Sequence, residues 1–307
     1  MATKVEEGKA GELSTARGAG ARDIALEVLR RVEDTGAFAN LLLDSRLRAA
    51  RLSPADRGLA TELAYGVLRW RGKLDWMLGQ VLDRPLGRLE PRVLQLLRLG
   101  AYQLRCLERI PAFAAVDETV SLARRAGAGR AAGYVNAVLR AVARARFAEP
   151  DEAADPLRYW STAGSHPPWL AARWLARLGA GEGGRLMRAN NAAPPLTVLA
   201  NPLQLSPPEA AERLRRHGLA AEAGRFSPLA FRLRDVGSPA DLPGFAEGDW
   251  IPMDEGGLLP VLALAPEPGQ RVLDACAGGG GKTALIAAAV APAGTVVALD
   301  RSPRALR

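Results

Sequence analysis

The run Arg271-Val272-Leu273 ends in Asp274, turns through Ala275-Cys276-Ala277-Gly278-Gly279-Gly280-Gly281-Lys282-Thr283, and enters an apolar stretch from Ala284 to Val290. A second apolar run, Thr295 to Leu299, ends in Asp300. The pattern predicts a strand, a glycine loop, a helix, and a strand tipped by an acid, which is the opening half of a nucleotide-type site. A ligand at the carboxyl end of a parallel strand needs backbone close by, and a Cβ there would obstruct it. Gly278, Gly280 and Gly281 meet that need, and the helix opening near Lys282 points free N–H groups toward the ligand. Asp300, about twenty residues beyond the glycines, stands where a carboxylate accepts hydrogen bonds from ribose hydroxyls. The sequence stops soon afterwards, at Arg307. One helix cannot cover both faces of a parallel sheet. Val272, Leu273, Val296 and Val297 are therefore expected to be exposed, and the terminus is read as a truncation.

Three cofactor readings compete. A phosphate-binding loop needs Gly, four residues, then Gly-Lys-Ser/Thr; Gly281-Lys282-Thr283 supplies the end, but the first glycine position holds Cys276. A dinucleotide fingerprint fails at the same place. The pattern acid-x-small-x-Gly-x-Gly is met by Asp274, Cys276, Gly278 and Gly280, and it resembles the first motif of Rossmann-like methyltransferases that use S-adenosyl-L-methionine. The cofactor-binding set is accordingly Cys276, Ala277, Gly278, Gly279, Gly280, Gly281, Lys282 and Asp300.

Composition narrows the partners. Lys and Arg number 41 against 33 Asp and Glu, a net charge of +8, which fits a polyanion such as RNA or a GC-rich coding bias. The two cysteines, Cys106 and Cys276, lie far apart, and the two histidines, His166 and His217, have no metal-ligand spacing. Neither a disulfide framework nor a metal site is expected. The amino terminus lacks the apolar core of a secretory signal, and no run is long enough to span a membrane. A cytoplasmic, monomeric protein is expected, with residues 1–20 a disordered tail.

Residues 21–148 read as an all-helical domain. Ile24, Val28, Leu29 and Val32 share one helical face. Ser53-Pro54-Ala55-Asp56 is a helix start, and Leu59, Leu63, Val67 and Leu68 follow on its buried side. Further helices are expected from Pro91 through Leu104, over 115–126, and over 133–144. Arg57, Arg69, Arg71 and Lys73, along or just after the second of these helices, form a candidate phosphate-contacting surface. Residues 149–165 show no clear period. Helical stretches are expected from Ser165 to Leu178 and over 183–190. A small α/β unit follows, with a strand over 196–201, a helix over 207–217 and a strand over 231–233.

These residues together resemble one family. Asp56-Arg57-Gly58-Leu59-Ala60-Thr61-Glu62-Leu63-Ala64-Tyr65-Gly66-Val67-Leu68-Arg69-Trp70 is similar to the signature helix of the NusB-like domain fused to bacterial ribosomal RNA methyltransferases. Ala115-Val116-Asp117-Glu118-Thr119-Val120, Tyr134 to Arg140, Ser165 to Leu170, Asn190-Asn191-x-x-Pro194-Pro195 and Asp274-Ala275-Cys276 follow in that family's order. The family is the 16S rRNA cytosine-C5 methyltransferases of the RsmB (Sun, Fmu) type. The resemblance implies a multidomain chain: a NusB-like all-α RNA-binding domain over 21–148; a helical linker with a small α/β (RRM-like) RNA-binding subdomain over 149–255; and the first strand-helix-strand of a Rossmann-like methyltransferase domain over 256–307.

The same resemblance implies methylation of cytosine C5 in 16S ribosomal RNA. In the family a cysteine thiolate attacks C6 and a base removes the C5 proton. Both cysteines of the family's pair fall beyond Arg307, so no residue of 1–307 is expected to be catalytic. Gly278-Gly279 replaces the family's Ala-Pro, which loosens a turn that proline would pre-organise and is expected to weaken cofactor binding by up to about 1 kcal/mol. Met253-Asp254-Glu255-Gly256-Gly257 replaces the usual segment ahead of the domain, with Asp254 on the family's acid. A non-catalytic RNA-binding or assembly module is the alternative reading.

Overall fold

Ser53 opens its helix as its sequence requires: the Asp56 N–H donates to Ser53 Oγ at 3.1 Å, and Pro54 occupies the first turn. In the computed structural model, which describes residues 19–234, 236–303 and 306, that helix belongs to a bundle. The expected disordered tail falls almost wholly on residues 1–18, outside the described residues. The bundle comprises α1 (Ala21–Thr35), α2 (Ala39–Ala49), α3 (Pro54–Arg69), α4 (Arg71–Val81), α5 (Pro91–Cys106), α6 (Ala112–Arg125) and α7 (Ala132–Arg144). One core joins them, with Leu29, Leu63, Leu74, Leu97, Leu122 and Leu139 almost fully removed from water. Two helices that periodicity had not marked, α2 and α4, contribute Leu43, Leu74 and Leu78 to it. Close approach of α3 and α5 uses a glycine: a Cβ on Gly66 would lie 2.1 Å from Tyr102 Cζ.

The stretch read as having no period contains a short helix, α8 (Pro156–Ser161), capped by Asp155, whose carboxylate accepts the Arg158 N–H at 3.0 Å. Next comes α9 (Pro168–Asn191), broken at Gly179 (φ 75°, ψ 171°), so the two expected helical stretches are its two halves. His166 is buried between Trp160 and Trp174, with ring centroids at 5.7 and 5.8 Å. The chain divides into two compact units at Ala192/Ala193, and each is described by itself.

The second unit opens with β1 (Leu196–Ala200), α10 (Pro207–Arg216), β2 (Ala221–Ala223), β3 (Ala230–Leu233) and β4 (Trp250–Pro252). Ser206 and Glu209 cap α10 reciprocally, as a capping box does. The sheet order is β2-β3-β1-β4, antiparallel throughout, with Val198 opposite both Phe231 and Pro252. Because β1 and β2 run the same way with β3 between them, β1-α10-β2 is a split βαβ crossover. Then come α11 (Glu255–Leu264), β5 (Arg271–Asp274), α12 (Gly281–Val290) and β6 (Thr295–Ala298), with β5 and β6 parallel and Val272 opposite Val296. Leu258 and Val261 of α11 and Leu285, Ile286 and Val290 of α12 are buried together with Leu199 and Ala230, and Val272 and Val296 pack against them. The expectation that all four strand residues are exposed is thus corrected. Side chains alternate across a strand, so only Leu273 and Val297 face solvent, at 61% and 48% exposure.

Candidate cofactor site

The glycine loop folds over the tips of β5 and β6. The Leu299 N–H donates to the Asp274 carbonyl at 2.8 Å, and the Ala277 N–H donates to the Leu299 carbonyl at 2.9 Å. Gly278 and Gly280 have φ of 54° and 82°, left-handed values that a side chain resists. A Cβ on Gly278, Gly279 or Gly280 would meet no protein atom within 4 Å, so the loop leaves open space above its backbone. Gly281 differs: its Cβ would lie 2.6 Å from Met253 Cε, so this glycine serves packing.

Two acids hold the loop. Asp274 accepts the Thr283 hydroxyl at 2.7 Å and the Cys276 N–H at 3.2 Å. Asp300 accepts the Ser302 N–H at 2.7 Å and the Gly278 N–H at 2.8 Å. Those two backbone donors hold the Asp300 carboxyl below its ordinary range. Thr283 and the Asp300–Gly278 bond were missed by sequence reasoning. Only the spacing of acid to hydroxyl, strand tip to third helical residue, could have suggested the first. Each carboxylate oxygen accepts one of these bonds, so each carboxylate retains acceptor capacity. Cys276 is exposed, and Gly280 caps α12, whose first N–H groups lie beside Lys282. Cys276, Ala277, Gly278, Gly279, Gly280, Gly281, Lys282 and Asp300 therefore form one loop and its facing strand tip. The open backbone, the helix N-terminus and the spare carboxylate lone pairs fit a nucleoside-bearing group.

Asp254, ahead of this unit, caps α11 by accepting the Gly256 N–H. Its neighbour Glu255 accepts the Phe226 N–H at 2.8 Å. Burial would raise the Glu255 pKa, but the N–H groups of Phe226 and Arg225, the Arg232 charge and the Ser227 N–H outweigh it and hold the carboxyl low.

In the bundle, Arg71 and Lys73 lie on α4 and have acidic partners: Arg71 pairs with Glu33 at 3.0 Å, and Lys73 with Glu149 at 2.7 Å. Arg57 donates to the Leu47 carbonyl at 2.9 Å. Arg69 has no ion pair among the described residues. The buried Arg98 donates to both carboxylate oxygens of Asp75, at 2.7 and 2.8 Å, and lies 3.8 Å from Glu33. Burial pushes the Cys106 thiol up to about 11, leaving it protonated at neutral pH. Among the described residues no group of three His, Cys, Asp or Glu could hold a metal ion, and no helix is long and apolar enough to cross a membrane.

Comparison with known proteins gives three family matches in chain order: the NusB family over residues 19–144, the ferredoxin-like domain of RsmF/B-like methyltransferases over 166–238, and 16S rRNA methyltransferase RsmB/F over 261–307. The small α/β unit is therefore of the ferredoxin-like class, in agreement with its strand order. The protein called "Probable ribosomal RNA small subunit methyltransferase B" in Bacillus subtilis is 37% identical over 279 residues, covering 91% of this chain and 62% of the relative. The protein of the same name in Synechocystis is 34% identical over 282 residues, covering 92% and 63%. The chain thus spans somewhat under two thirds of the length of these relatives. A solved structure named PH0851 matches 92% of this chain and 63% of its own with a TM-score of 0.74 at 18% identity, a likeness of fold.

Proposed function

We infer from the three family matches in chain order and from the relatives named ribosomal RNA small subunit methyltransferase B that the chain is part of an RsmB/F-type 16S rRNA methyltransferase, one that methylates cytosine C5 of 16S ribosomal RNA with S-adenosyl-L-methionine. The observation that carries this reading is the Gly278–Gly280 backbone, left open to a ligand and tied to Asp300 across the strand tips. When bound, S-adenosyl-L-methionine supplies an electrophilic methyl group on a sulfonium. In this chain Gly278 and Gly280 let the backbone approach, the α12 N-terminus offers N–H donors, and the free lone pairs of Asp300 accept from ribose hydroxyls. Asp274 positions the loop through Thr283 and Cys276. Cys106, protonated and in the bundle unit, is not a nucleophile for this reaction.

The experiment is a calorimetric titration of S-adenosylhomocysteine and of Mg·ATP into this chain and into a longer one of the relatives' full length. S-adenosylhomocysteine is expected to bind, more tightly in the longer chain, and Gly280→Val is expected to weaken it at least about tenfold, because a β-branched residue resists φ near 82°. Preference for Mg·ATP, or no binding in either chain, would overturn the reading.

A further inference from the structure

On the bundle, α6 and α7 are joined by a short connection and pack side by side, leaving a groove with a cavity of about 500 Å³ between them. Its floor is apolar: Val116 and Val120 of α6 are buried beneath it. At one end Phe113 stands 79% exposed, an aromatic face with no part in the core. Arg124, Arg140 and Arg144 line the same groove. None of the three has an acidic partner among the described residues; Arg140 donates only to Asn136 Oδ1, at 3.1 Å. That separates them from Arg71 and Lys73, whose charges are met inside the protein.

The helical period makes this one surface. Phe113, Val120 and Arg124 recur at spacings that keep one face of α6, and Asn136, Arg140 and Arg144 do the same on α7 at intervals of four. From Phe113 to Arg124 the face runs roughly 16 Å at 1.5 Å per residue. Three guanidiniums oppose one carboxylate, Asp117, in the lining. An exposed ring in an apolar trough flanked by unpaired arginines is the combination that stacks an unpaired base while neutralising its backbone. A protein helix would be expected to find a wider apolar strip and fewer like charges.

The geometry points to the α6/α7 groove as a docking surface for a single-stranded RNA segment: a base stacks on Phe113, and phosphates lie against Arg124, Arg140 and Arg144. Asp117 and Asn136 offer hydrogen bonds to base edges. This inference rests on the reading of the protein as one that acts on RNA, and it names where on the bundle an unpaired stretch is held.

The test is fluorescence polarisation of the whole chain with a labelled short single-stranded RNA, and with the same RNA annealed to its complement, over a range of salt. Circular dichroism checks that each variant is folded. Phe113→Ala is expected to weaken single-strand binding at least about fivefold, and Phe113→Tyr, which keeps the ring, to restore it. Arg124→Gln, Arg140→Gln and Arg144→Gln combined are expected to reduce the slope of log affinity against log salt by about two. Should the wild-type chain bind RNA and these variants bind it equally well, the groove is not the surface, whatever protein docks there, and the proposed function stands. A wild-type chain that binds no RNA overturns both.

Discussion

At the residue scale, partners remote in sequence decide what a charged or titratable group can do. Arg71 and Lys73 look like a phosphate surface when read beside Arg57 and Arg69, yet Glu33 and Glu149 are brought to them only by the packing of α1 and of the chain after α7. No local pattern reveals those acids. His166 shows the same dependence. Burial between Trp160 and Trp174 holds its pKa below 6.5, against the opposing influence of the Gly164 carbonyl. Over the interval between the folded and unfolded values, the unfolded chain binds the extra proton. The stability His166 confers is therefore complete above pH 6.5 and is lost as pH falls from there through the lowered folded value. Urea midpoints followed by tryptophan fluorescence are expected to fall between pH 7.5 and 5.5 in the wild type. His166→Gln should flatten that change, and an equal slope in the variant would remove His166 as its cause.

At the element scale, helices announced by local chemistry were legible, and those made by tertiary contact were not. Ser53-Pro54 and Ser206-Pro207 carry their capping signals within four residues, and α3 and α10 begin where those signals stand. By contrast α4 starts without a break, because Trp70 serves both as the end of α3 and the beginning of its successor. Helix α11 contains Gly256, Gly257 and Pro260 and is apolar on several faces, so no period marks it. Strands β2 and β4 are three residues each and exist through pairing with β3 and β1. Two glycines of α3 separate propensity from packing. Alanine is favoured over glycine inside a helix by about 1 kcal/mol. At Gly58 nothing lies within 4 Å of a new Cβ, so Gly58→Ala is expected to stabilise the bundle by up to that amount. At Gly66 the methyl would strike the Tyr102 ring, which Glu62 holds through a 2.5 Å hydrogen bond, and overpacking of about 1 to 3 kcal/mol outweighs the propensity gain. Gly66→Ala is therefore expected to destabilise, by up to about 2 kcal/mol net. Chemical denaturation of both variants checks the opposite signs, and two shifts of the same sign would show that packing does not decide.

At the scale of the whole molecule, the order of motifs was legible because each module carries its own: a capped helix with Leu63 and Val67 for the bundle, the Asn190-Asn191 helix end before the small sheet, and the glycine loop at β5. The way each unit covers its apolar surface was less legible, since it depends on which helices pack on which face. The bundle encloses its core leucines, Leu29, Leu63, Leu74, Leu97, Leu122 and Leu139 among them. In the second unit α11 and α12 cover the Val272 and Val296 face of the parallel pair, while Leu273, Val297 and Leu299 stay at 61%, 48% and 51% exposure on the opposite face. Contiguous apolar surface beside an unpaired strand edge binds other apolar surfaces. The chain is accordingly expected to bind a hydrophobic dye and to self-associate as its concentration rises. Leu273→Thr with Val297→Thr should lower both effects while leaving β5 and β6 intact, because threonine keeps the β-branched fit of a strand. Dye fluorescence and sedimentation velocity measure the two effects. Undiminished dye binding in the double variant would place the sticky surface elsewhere, with Leu259, Leu262 and Leu264 on the outer side of α11 as the next residues to replace.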